Sequence, residues 1–302
     1  ESGYYTAAVG KWHLGENVKD RFDSVFEAND TGFQLPGLDN KANSKMVDAK
    51  NISGCEAWVP VLKNRPKDKP FFMWFAALDP HRNYKEGSFN PPHRHSDIIV
   101  PPYIPDVPQV REDFRLYYDE IGRLDYYVGR VIKELKAQGV ADNTVIIFMS
   151  DNGRPFPRDK TSLYDGGIKT PFIVNWPARI EEGQVSKSLV SAVDIAPTIL
   201  DLAGLEAGGT FEGISFAEIL EDPEVEINEY VFGEDHWHNY EDHARSIANQ
   251  GYKLIKNTYN DLPATPAADI GKGLTWKAIL TLKKAGKLTD AQQACFNSPR
   301  PK

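Results

Sequence analysis

The sequence has few cysteines, no long apolar run and no excess of positive charge. Cys55 and Cys295 are its only cysteines, and they lie far apart. They make no CxxC pair and no metal-type spacing, which excludes a zinc ribbon or a dithiol redox centre and leaves the compartment unread. No stretch approaches the ~20 apolar residues that a membrane-crossing helix needs. Lys and Arg number 35 against 43 Asp and Glu, for a net charge of -8. That balance excludes nucleic acid as a partner. The chain opens on Glu1 without an initiator Met or a signal peptide, and closes on Pro301-Lys302. The reading is an internal piece of a longer protein. Internal repeats and low-complexity tracts are also missing.

What is present is a globular composition. Of 302 residues, 41% are hydrophobic and 26% charged, and the length suits one large α/β domain with a smaller companion. The informative stretch is 145–153, Val-Ile-Ile-Phe-Met-Ser-Asp-Asn-Gly. A short apolar run bounded by turn residues reads as a strand buried on both faces. In open α/β sheets, ligands sit beyond the carboxyl ends of such strands. Asp151 and Asn152 stand there with hard oxygen ligands, suited to Ca²⁺ or Mg²⁺ rather than Zn²⁺. The same three residues, Asp-Asn-Gly, also make good turn chemistry.

Other segments repeat the arrangement. Residues 7–10 form a small apolar run ending in Gly, followed by Lys11 and His13, which alternation places on one side of an extended chain. Residues 71–78 are a second apolar strand, ending in Asp79-Pro80-His81-Arg82, where Pro80 fixes the turn. Residues 16–68 read as long polar loops with short elements, and the proline-rich 83–110 as an irregular excursion that includes His93 and His95. From 111 to 138, Phe114, Tyr117, Ile121, Leu124, Val128, Val131, Ile132 and Leu135 recur at helical spacing, with Gly139 as the stop. Residues 154–167 form a loop able to return over the strand end. Lys160 is its candidate cation, with Arg154 and Arg158 as rivals. Residues 171–176 read as a further strand, and Asp194 caps a helix that runs to Gly204. Strands 71–78, 145–150 and 171–176 are expected in one mostly parallel sheet.

Past about 205 the pattern changes to strands at 230–232, 245–248 and 252–256 without long intervening helices. That is a small antiparallel sheet, so the expected division is a catalytic domain 1–205 and a C-terminal α+β subdomain 206–302. The loop carrying His236, His238, Tyr240 and His243 suits either packing or sugar binding. Residues 276–288 have helical spacing.

Four ordered blocks resemble the sulfatase family. They are Gly3-Tyr4-Tyr5-Thr6 running to Gly10-Lys11-Trp12-His13, then Ser150-Asp151-Asn152-Gly153, Tyr164-Asp165-Gly166-Gly167 with Thr170-Pro171, and Asp194-Ile195-Ala196-Pro197-Thr198. Asp79-Pro80-His81-Arg82 is most similar to the heparan N-sulfatase branch and its bacterial relatives. The resemblance implies an alkaline-phosphatase-like α/β/α sandwich with a mostly parallel sheet, one Ca²⁺ ion (Mg²⁺ less so) and a formylglycine nucleophile. It implies metal ligation by Asp151 and Asn152, and sulfate binding by Lys11. It also implies that His13 orients the nucleophile and helps to release sulfate, and that His81 and Lys160 bind sulfate and serve the leaving group. Arg82, His236, His238 and Tyr240 are expected to line the pocket and touch the sugar. The substrate would be a sulfated oligo- or polysaccharide, carrying either an O-sulfate ester or an N-sulfamate. The resemblance implies an exported or lysosomal location and leaves the oligomeric state open. Two departures stand out. Lys160 occupies a position that is typically Arg in the N-sulfatase branch. The nucleophile motif, Cys or Ser-x-Pro-x-Arg, occurs nowhere in the chain, and neither cysteine lies in one. Two alternatives therefore remain: a non-catalytic homologue that binds sulfated glycans, and a metal-dependent phosphoesterase of the same superfamily.

Overall fold

The computed structural model describes residues 2–28, 53–264 and 266–300. The expected loops over 29–52 lie outside the described residues. The chain divides into two compact units, one of residues 1–101 and 106–140, the other of 102–105 and 141–302. Residues 141–205 share a compact unit with 206–302. The small antiparallel sheet of 206–302 is part of the second unit.

In the first unit, strand β1 (Tyr5–Gly10) is central, with β2 (Ser24–Glu27) and β3 (Phe71–Ala76) parallel on either side. Val9 stands opposite Phe26 on one side and Phe75 on the other. Ala7, Ala8 and Val9 are buried, as a strand flanked on both edges and covered on both faces requires. The small side chains let helix α1 (Trp58–Asn64) approach, and Trp58 stacks on Phe75 at 5.3 Å. Both β2 and α1 are short elements within the stretch read as long loops with short elements. Their apolar runs are too short to show a period.

Helix α2 (Pro108–Ala137) starts on a proline whose missing N–H would be unpaired in any case. It ends as expected, with Gly139 at φ 69°. Its apolar stripe is only partly the buried one. Val110, Phe114, Tyr117, Val131 and Leu135 are buried, whereas Ile121 is exposed. Asp113, Arg115, Asp119 and Glu120 are buried instead. Two of their partners come from the turn after β3 and from the proline-rich excursion: Arg82 binds Asp113, and His93 binds Asp119 through both its backbone and its ring nitrogen.

In the second unit, β4 (Ile146–Met149) and β5 (Phe172–Asn175) pair antiparallel, with Phe148 opposite Ile173. Among the described residues β3 belongs to a different sheet, so the expectation of one parallel sheet through 71–78, 145–150 and 171–176 is corrected. The link from β4 to β5 contains only a four-residue helix, α3 (Asp165–Ile168), short of the covering helix that a parallel crossover uses. Nor are these strands fully buried, since Met149, Phe172 and Ile173 are exposed. Helix α4 (Ile195–Leu202) follows. Asp194 does not cap it by a side-chain bond. Its carboxylate accepts from the Ser191 and Ile214 amides and from Asn228, so it ties three loops together.

Strands β6 (Val231–Trp237), β7 (Glu241–Ala248) and β8 (Lys253–Asn257) form the antiparallel sheet, in the order β6-β7-β8. His236 and His243 lie in paired strands, so the expected loop is a hairpin with its turn at 238–240. Among the described residues, helices α5 (Ala268–Gly271), α6 (Leu274–Lys284) and α7 (Asp290–Gln293) follow. No helix among the described residues is long and apolar enough to cross a membrane.

Candidate active site

The first unit presents Lys11, His13, His81 and Arg82. Gly10 ends β1 at φ 115°, and a Cβ there would sit 1.8 Å from the Ala76 carbonyl oxygen. Only glycine allows this approach. It lets the Lys11 amide donate to Ala76 at 2.9 Å, which fixes where the lysine leaves the sheet. Trp12 turns into the core against Phe22 and Trp74, both at 5.9 Å. The half-buried Lys11 and the exposed His13 flank it, in keeping with the alternation.

His81 follows β3, the parallel neighbour of β1. It is exposed, and its Nδ1 lies 2.5 Å from the Arg82 carbonyl. A carbonyl only accepts, so Nδ1 carries the proton of this bond. Beneath it, Asp79 is buried and holds Arg123 through two bonds of 2.6 and 2.7 Å. Burial, with the Asp79 charge adding to it, pushes the Glu120 carboxyl up to about 8. Arg82 is buried against α2. Its side chain is 4% exposed, both terminal nitrogens bind Asp113 at 2.9 Å, and its guanidinium lies 4.6 Å from the Tyr84 ring centroid. It anchors the His81 turn to α2.

The second unit carries Asp151, Asn152, Lys160, His236, His238 and Tyr240. Asp151 is exposed just past β4. Asn152 donates from Nδ2 to the Gly153 carbonyl at 2.7 Å, which leaves its Oδ1 as the unspent oxygen. A carboxylate beside an amide oxygen fits a hard cation in kind. Among the described residues, however, no group of three or more His, Cys, Asp or Glu is placed to hold a metal. Two oxygens are fewer than the ~6 such a cation takes.

The loop beyond is tightly folded. Gly153 donates to Gly167 at 2.8 Å, and a Cβ on Gly153 would come within 1.8 Å of the Gly166 carbonyl oxygen. Arg154 binds Asp159 at 3.0 Å and the Tyr103 hydroxyl at 2.8 Å, and Tyr103 donates to Asp159 at 2.6 Å. Burial, then the bond to Asp159, pushes the Tyr103 phenol up to about 12. Arg158 lies over the rings of Tyr103 and Tyr164 and donates to Ala291. Lys160 differs from these two rivals. It is 8% exposed, and its one described ion pair is to Asp269, at 3.1 Å. His236, His238 and Tyr240 are exposed around the β6–β7 turn. His236 contacts Glu234 at 3.1 Å, and its ring lies 5.3 Å from that of His243, tilted by 36°. Asp269 was not foreseen, because nothing near residue 269 marks it out. Neither cysteine is built to react: both are buried, and burial raises both thiols.

The class these features define is an α/β protein with cations, imidazoles and hard oxygen ligands set near strand ends. The Sulfatase family model matches residues 1–205, and that of the N-sulphoglucosamine sulphohydrolase C-terminal region matches 156–268. The chain belongs to the sulfatase family. It is 29% identical to human N-sulphoglucosamine sulphohydrolase over 324 residues, covering 96% of this chain and 62% of that protein. It is 31% identical to an ulvan-active sulfatase of Formosa agariphila over 278 residues, covering 79% of this chain and 46% of that protein. The chain thus spans about half to three-fifths of these relatives. A solved structure described as bound to its substrate D-glucosamine-2-N,6-O-disulfate superposes with a TM-score of 0.66 at 21% identity, over 99% of this chain and 81% of that one. That likeness establishes the alkaline-phosphatase-like fold.

Proposed function

We propose that the full-length protein hydrolyses sulfate from a sulfated carbohydrate, cleaving a sulfate ester or a sulfamate. The observation that carries this reading is Lys160. Of the basic residues on its loop, it alone is buried with a single carboxylate partner, while Arg154 and Arg158 are committed to Asp159, Tyr103, Tyr164 and Ala291.

Sulfate transfer spreads charge over three oxygens, and fixed positive groups stabilise that charge strongly in a site shielded from water. In this reading Lys11 and Lys160 supply two such groups. His81 gives a proton from Nε2 to the leaving oxygen or nitrogen, as a general acid held by its Nδ1 bond. His13 holds and moves the proton of the nucleophile. Asp151 and Asn152 would hold Ca²⁺, with the remaining ligands coming from elsewhere in the full-length protein. The ion would supply further charge at the sulfate. The formylglycine nucleophile would also come from outside these residues. His236, His238 and Tyr240 contact the sugar. An exported or lysosomal setting accords with a polysaccharide substrate.

The test is turnover of an aryl sulfate by the full-length protein and its Lys11→Ala and His81→Ala variants. Losses of about 10²–10⁴-fold are expected for His81→Ala, with a rise in KM for Lys11→Ala. Wild-type rates in both variants would contradict the assignment.

A further inference from the structure

We propose that Asp269 is the positioning residue for Lys160, and that α5 couples this lysine to the hairpin that meets the sugar. The inference rests on the reading of Lys160 as a sulfate-binding residue and adds to it a group far away in sequence.

Lys160 is buried, and among the described residues it meets one charge, Asp269 Oδ2 at 3.1 Å. An ammonium has three N–H donors. Asp269 takes one, which leaves two for an anion. A buried ammonium without a counter-charge is strongly disfavoured, so Asp269 is what permits a charged lysine at this depth. It also fixes direction. Lysine is a point charge on a flexible four-carbon stem, and one carboxylate holding one N–H restricts where the other two point. A group already aimed before substrate arrives loses less freedom in the transition state.

The carboxylate is itself held from the sugar side. Asp269 lies in α5 (Ala268–Gly271), and the neighbouring Ala268 amide donates to Asn239 Oδ1 at 2.7 Å. Asn239 is at the tip of the β6–β7 hairpin, between His238 and Tyr240. The order of contact is therefore hairpin tip, Asn239, Ala268, Asp269, Lys160, all inside the second unit. A sugar that moved the tip would act on the lysine through two bonds.

The experiment uses the full-length protein with Asp269→Asn, Asp269→Glu and, in parallel, Lys160→Ala. It measures kcat and KM on an aryl sulfate, inhibition by inorganic sulfate, and Tm. Asn keeps the shape and removes the charge. Asp269→Asn should lower kcat/KM about tenfold to a hundredfold and weaken inhibition by sulfate, with Tm little changed. Asp269→Glu should restore part of both. If Lys160→Ala loses activity while Asp269→Asn keeps wild-type kcat/KM and sulfate inhibition, the proposal is wrong and the sulfatase reading stands. A lower Tm with unchanged sulfate inhibition would reduce Asp269 to a structural role and also overturn it. Wild-type turnover in Lys160→Ala would remove both readings.

Discussion

Replacing Asp113 should unfold the protein far more readily than its place on a surface-like helix implies. Asp113 and Arg82 each have side chains 4% exposed, and they share two bonds of 2.9 Å. With Asp113→Ala the guanidinium stays buried beside Tyr84 and loses the carboxylate that binds both its terminal nitrogens. Breaking one partner of such a pair costs about 3–5 kcal/mol. At about 2 °C per kcal/mol for a chain of this size, Tm should fall by about 6–10 °C. The paired replacement Arg82→Met with Asp113→Leu removes both charges and keeps the volume, and should recover most of the loss, because buried pairs often add little over a packed apolar contact. The assay is urea unfolding of the full-length protein followed by tryptophan fluorescence, with a thermal scan. A loss below about 1 kcal/mol for Asp113→Ala, or a double variant no more stable than the single, would refute the reasoning.

Glu120 gives a pH signature. Its carboxyl is raised from 4.5 to about 8, first by burial and then by Asp79. A raised folded-state pKa means its stability contribution is complete below about 4.5 and is lost as pH rises through about 8. Glu120→Gln should therefore gain on wild type across that window, and parallel stability curves would count against it. At the hairpin, His236→Ala, His238→Ala and Tyr240→Ala should reduce turnover of the native polysaccharide while sparing a small aryl sulfate; equal loss on both would mean the hairpin does not recognise sugar. Purified residues 1–302 alone, given Ca²⁺, should release no sulfate above the buffer rate, because no Cys/Ser-x-Pro-x-Arg motif is present and loss of a nucleophile costs several powers of ten. Clear turnover would place the nucleophile within this chain.

Much of the scaffold was legible where chemistry follows a local pattern. The run into Gly10, the alternation of Lys11 and His13 about Trp12, and the oxygens of Asp151 and Asn152 at a strand end are all written within a few residues. Direction of pairing is not, because a four-residue apolar strand such as β4 has the same period in a parallel or an antiparallel sheet. The hairpin at 236–243 was hidden by residues that favour loops, and only its partner strands reveal it. Nothing within α2 marks its charges as buried, because Arg82 and His93, which bind Asp113 and Asp119, lie on a separate segment. Lys160 was visible from its loop, whereas Asp269 is joined to it only by the fold.

The central claim is that this site moves sulfate, and the most direct measurement compares two leaving groups on one scaffold. The full-length protein, supplied with Ca²⁺, is given glucosamine N-sulfate, glucosamine O-sulfate and the matching glucosamine phosphate, and the released anions are quantified by ion chromatography. The account predicts sulfate from at least one sulfated sugar, lost in Lys160→Ala, and no phosphate. Phosphate released faster than sulfate would assign the chain to the phosphoesterases of the same superfamily, and no anion released from any of the three would leave a glycan-binding homologue in place of an enzyme.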